Sequence, residues 1–137
     1  MKRIFINVSN HRIDTWTKEQ LEEATILGNG NIVDIPFPYV HPEMNELQIE
    51  DMAIDLIETI LNHIDVDNDR VAYIHIMGEL GLTYKAVDSL FKIKYEEDIG
   101  VELLVIHSTT SRDVHEFKEG NLTKKNVVFK FIQFRSY

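Results

Sequence analysis

Two short apolar runs decide most of what this chain can become. "RVAYIHIM" (residues 70–77) and "VELLVIHST" (101–109) are nearly continuous in aliphatic and β-branched residues. Strands of that kind are covered on both faces, as in the middle of a parallel sheet. Parallel neighbours need a crossover, usually a helix, and "TYKAVDSLFKIKYEE" (83–97) lies between them to supply it. The same alternation begins upstream. "RIFINVSN" reads as a first strand, and "TKEQLEEATILG" as a helix capped by Thr17, supported by Gln20 and stopped at Gly28. Leu21, Ala24, Ile26 and Leu27 would form its apolar face. "NIVDIPFP" is a second strand ended by Pro36 and Pro38, and "PEMNELQIEDMAIDLIETILNHI" a long helix. Its apolar side would run through Leu47, Met52, Ile54, Leu56, Ile57, Ile60 and Leu61.

The order βαβαβαβ predicts an α/β fold: a Rossmann-like, mostly parallel sheet with helices on both faces. The remainder, "RDVHEF", "KEGNLTKKN" and "VVFKFIQFRSY", reads as a C-terminal β-hairpin, antiparallel at one edge. At 137 residues the prediction is one domain, 1–137, large enough to bury a core.

Charge narrows the partners. The chain carries a formal charge of -9, which argues against a long nucleic acid, whose binding is mostly phosphate neutralisation. The charge is uneven: residues 1–107 hold 8 Lys+Arg and 20 Asp+Glu, a balance of -12, and residues 108–137 hold 6 and 3, a balance of +3. A basic tail on an acidic body suits a small polyanion, or is simply a solvated hairpin. No apolar run approaches the ~18 residues of a membrane span, and the start "MKRIFINVSN" lacks the pattern of a signal peptide. With no cysteine there is no disulfide framework. The expectation is a cytoplasmic protein away from the membrane.

In open α/β sheets ligands sit beyond the carboxyl ends of the strands. Polar residues and glycines concentrate in the loops expected there. "GELGLT" offers Gly78 and Gly81 for a close backbone approach, with the following helix pointing free N–H groups at the loop around Gly81 and Thr83. Glu79 would act as a base, accept from a ribose hydroxyl, or merely cap that helix. "STTSR" offers the hydroxyls of Ser108, Thr109, Thr110 and Ser111 beside Arg112, a set suited to phosphate or ribose, or to an ordinary turn. "SNHR" places Ser9, Asn10 and His11 after the first strand, and His11 could move a proton near neutral pH. Trp16 could stack on a base or pack against the first helix. The six histidines show no HExxH or paired spacing, so no metal site is expected. His75 and His107 fall within strands and read as core histidines. No GxSxG nucleophile elbow is present.

Taken together, Ser9-Asn10-His11, Gly78-Glu79-Leu80-Gly81 with Thr83-Tyr84, Thr109-Thr110-Ser111-Arg112 and the terminal "FIQFRSY" occur in the order seen in one family. The chain resembles the small stand-alone CRISPR-associated (Csx-type) CARF-related ring nucleases. Two segments, "KIKYEEDIGVE" and "RDVHEFKEGNLTKKN", lie outside that pattern. The resemblance implies a CARF-like homodimer that binds and cleaves a cyclic oligoadenylate, with cyclic tetra-adenylate the expected ring, and so switches off antiviral signalling. No metal or other cofactor is implied, because a ribose 2′-hydroxyl attacks the neighbouring phosphate. On this reading His11, Glu79 and Arg112 are catalytic. Ser9, Asn10, Gly78, Gly81, Thr83, Ser108, Thr109 and Thr110 bind the ligand. The alternatives are a sensor or sponge of the same fold that holds the nucleotide without cutting it, and an interaction subunit with no small ligand.

Overall fold

A computed structural model describes residues 2–137. Five strands form one sheet in the order β2-β1-β3-β4-β5. These are β1 (Lys2–Ser9), β2 (Ile32–Pro36), β3 (Asp69–Met77), β4 (Glu102–Glu119) and β5 (Leu122–Ser136). The first four are mutually parallel, and β5 returns antiparallel along β4. Three helices, α1 (Lys18–Leu27), α2 (Glu46–Asn62) and α3 (Leu80–Glu96), make the crossovers. The predicted α/β, Rossmann-like architecture with a C-terminal hairpin is the one observed.

Alternation along the strands sorts the two faces. Ile4, Ile6, Val8, Ala72, Ile74, Ile76, Leu103 and Val105 turn toward α2 and α3, where Leu56, Ile57, Ile60, Leu82, Ala86 and Leu90 complete the larger core. Phe5 and Ile106 turn the other way, toward Ala24 of α1, with Trp16, Leu27, Tyr73 and Phe134 packed around them. Lys85, in the second turn of α3, joins it to the first two turns of α2 through Glu50 at 3.0 Å and Glu46 at 3.4 Å. Among the described residues no helix is long and apolar enough to cross a membrane.

Several boundaries differ from the sequence reading, each for a local reason. α2 begins at Glu46 rather than at Pro42, because Asn45 and Gln48 close a reciprocal capping box there. α3 begins at Leu80, inside the segment read as a loop, because the Glu79 carboxylate caps it. Ile26, Leu47 and Ile54 are exposed instead of lying on apolar faces. The largest difference is in β4. The segment "STTSR" is not a loop: β4 runs through it to Glu119 and pairs with β5 along its whole outer length. Gly120, at φ 62, occupies the first position of the two-residue turn, where hairpins favour glycine.

Candidate functional site

The chain leaves β1 toward β2 on one side and reaches β3 on the other, so a crevice opens beyond the carboxyl ends of β1 and β3. A cavity of about 730 Å³ occupies this position and opens to solvent. The end of β1 supplies Ser9, Asn10 and His11, and β3 supplies His75, Met77 and Gly78. Ser108 and Thr110 come from β4, Phe129 and Phe131 from β5, and Thr15, Trp16 and Thr17 from the approach to α1.

The floor of the cavity is polar, and sheet register makes it so. Asn7 stands opposite both Asp34 on β2 and His75 on β3. His75 in turn stands opposite Ile106, two residues before Ser108 on β4. Side chains from four strands thereby form one row on the α1 face. Asn7 Nδ2 donates to Asp34 Oδ1 at 2.7 Å and to the His11 carbonyl at 2.9 Å, so its Oδ1 faces His75 Nδ1, 2.8 Å away. An amide oxygen accepts only, so Nδ1 carries the proton and Nε2 is bare. Ser108 Oγ lies 3.2 Å from Nε2 and 3.1 Å from Met77 Sδ. The hydroxyl has one proton for these two acceptors, and the imidazole nitrogen is the stronger of them. The result is a hydrogen-bonded chain from the cavity inward: Ser108, His75, Asn7, Asp34.

His75 is 1% exposed and lies against Phe5, Trp16 and Phe134. Burial, and secondarily the charge of nearby His107, pushes its pKa down from 6.5 to about 4. The ring is therefore neutral at pH 7, a weak base whose bare Nε2 accepts a hydrogen bond from the cavity side. The loop above it is pinned by three donors on one acceptor: Asn7 Nδ2, Ser9 Oγ and Trp16 Nε1 all reach the His11 carbonyl. That leaves the His11 imidazole exposed at the rim.

Of the residues expected to act, Ser9, Asn10, His11, Gly78, Ser108 and Thr110 meet around this cavity, and Glu79, Gly81, Thr83, Thr109 and Arg112 do not line it. Glu79 accepts from Gly81 N at 2.9 Å and Leu82 N at 2.8 Å. The N-terminus of α3 is thus closed by its own carboxylate, which would repel a phosphate there. Thr83 Oγ1 accepts from Gly78 N, and Thr109 Oγ1 donates to the Gln133 carbonyl. Arg112 lies out on the hairpin beside Phe129 and is exposed. Gly78 answers to packing: a Cβ there would come within 2.4 Å of the Phe37 ring.

Sequence reasoning missed Asn7 and His75 as site residues, and took Phe129 and Phe131 only as strand residues. One signal was present. An Asn and a His interrupting two otherwise apolar strands are polar groups that burial obliges to find partners. His75 is indeed a satisfied buried histidine, as expected, but one partner faces the cavity. His107, expected in the core, is only half-buried, its ring tilted at 49° against Tyr137 with centroids 4.7 Å apart and Arg135 Nε 3.4 Å from its Nε2.

Comparison with known proteins places the chain in a family. A family model described as the Uncharacterized protein MJ1673 family matches residues 3–135, nearly the whole chain, which belongs to that family. No curated protein and no solved structure matches it.

Proposed function

We propose that the chain is a ring nuclease that binds a cyclic oligoadenylate, with cyclic tetra-adenylate as the first candidate, in the crevice beyond β1 and β3. The resemblance of its motifs to the CARF-related ring nucleases suggests the substrate. The observation that carries the chemistry is the Ser108–His75–Asn7 chain opening into the cavity. Phe129, Phe131 and Trp16 offer ring faces on which adenines would stack, and Ser9, Asn10 and Thr110 offer partners for ribose and phosphate oxygens.

In the proposed step a ribose 2′-oxygen attacks the adjacent phosphorus, forming the 2′-O–P bond while the P–O5′ bond breaks. The 2′-hydroxyl proton passes to Ser108 Oγ as the Ser108 proton passes to His75 Nε2. His11 at the rim protonates the departing 5′-oxygen. The product is a linear chain ending in a 2′,3′-cyclic phosphate. Positioning and proton transfer carry the reaction, and a base with so low a pKa implies slow turnover.

One observation favours binding without cleavage as a second reading: among the described residues no Lys or Arg lines the cavity to stabilise the extra negative charge of the transition state. The discriminating test is product analysis. Purified protein is incubated with cyclic tri-, tetra- and hexa-adenylate in excess EDTA and the nucleotides are separated by chromatography. Linear products with 2′,3′-cyclic phosphate support the nuclease. Intact nucleotide with a raised melting temperature supports a sensor or sponge.

A further inference from the structure

The outer β4–β5 hairpin is a structure that lacks a cover. β3 accompanies β4 only as far as the pair His75 and Ile106; beyond it β4 is bonded to β5 alone. From Thr110 to Glu119 this two-stranded arm reaches roughly 30 Å at about 3.3 Å per residue. A lone hairpin in water is marginal unless a third element packs on it. This one keeps large apolar groups in solvent: Phe129 is 63% exposed, and Val114, Phe117, Leu122, Val128 and Ile132 are exposed as well.

We infer that the arm is a clasp between two copies of this chain, each arm lying across the carboxyl-end rim of the other. Charge selects this occupant. On the arm, Lys124 and Lys125 are paired with Glu119 and Glu116. Arg112, Lys118 and Lys130 have no carboxylate within 4.0 Å among the described residues. The region 108–137 is at +3, and residues 1–107 are at -12. A long nucleic acid attracted by the arm would be repelled by the body beneath it; a second acidic body would not.

The rim has the matching surface. Where α2 and α3 begin, Leu80 is 83% exposed, with Leu47, Tyr84 and Tyr39 also in solvent. The exposed Glu43 lies beside them in sequence and pairs with no cation among the described residues, whereas Glu46 is held by Lys85. Each copy therefore carries both halves of the contact, arm and rim, as a closed two-fold pair requires. The clasp also brings cations to the edge of a cavity whose lining, among the described residues, includes no Lys or Arg. The inference does not rest on the proposed nuclease activity, and Val114 and Leu80, which do not line the cavity, test it apart from Phe129, which does.

Sedimentation velocity of the full chain over a concentration series tests it. The wild type should be a dimer. Phe129→Ser with Val114→Ser on the arm, or Leu80→Glu on the rim, should raise the dimer dissociation constant at least about tenfold. All three positions are exposed, and circular dichroism will report that the body stays folded. Lys130→Glu should weaken the dimer, and adding Glu43→Lys should restore it in part. A wild type monomeric at every concentration overturns the inference. So does a dimer indifferent to the arm and rim variants, or a monomer whose arm instead retains single-stranded RNA.

Discussion

At the scale of the residue, the proposed chemistry rests on His75. Its pKa is about 4 in the folded protein against 6.5 for the free side chain. Between those values the unfolded chain binds a proton that the folded chain does not, so stability rises with pH across that window. The full effect above pH 6.5 is about 3 kcal/mol relative to acid below pH 4. Melting temperature should fall as pH drops from 7 toward 4, and His75→Gln should flatten part of that slope; an unchanged slope would show that His75 is not neutral and buried. Glu79 has the opposite character, a residue of structure. Its carboxylate caps α3, and Glu79→Ala should cost about 1 kcal/mol of stability in chemical denaturation. His75 was legible as a buried histidine but not as a site residue. That Asn7 and Asp34 stand beside it is a property of sheet register, which no local stretch of sequence contains. Glu79 and Gly78 misled in the other direction. A glycine–acid–glycine turn looks like a ligand loop, and what it serves is a helix cap and the Phe37 ring.

At the scale of the element, the parallel strands were readable because a short, continuously apolar run set between helices must be buried on both faces, and a central parallel strand is the element that does this. The outer half of β4 was not. Ser108 through Arg112 are residues of a turn by composition, and they are strand only because β5 pairs with them. The turn between Met77 and Leu80 is held by close packing, and this can be tested. Gly78→Ala puts a methyl into the Phe37 ring and should cost about 1–3 kcal/mol by overpacking. Phe37→Ala introduced with it should recover part of the loss, since the clash goes with the ring. Full additivity of the two substitutions would argue against that contact.

For the whole molecule, the order of five strands puts a crevice where β1 leads away in one direction and the chain returns to β3 in the other, and a single polar row crosses its floor. The family to which the chain belongs fixes no activity by itself, and the proposed reaction rests on that row. If Ser108 relays the proton, Ser108→Ala should bind the cyclic nucleotide about as well as the wild type and cleave it about 100-fold more slowly. The direct measurement is single-turnover cleavage of labelled cyclic tetra-adenylate in EDTA by wild type and Ser108→Ala side by side. The account predicts a linear product with a 2′,3′-cyclic phosphate from the wild type and little from the variant. Equal rates from both would contradict the relay, and an intact ring with both would contradict the nuclease.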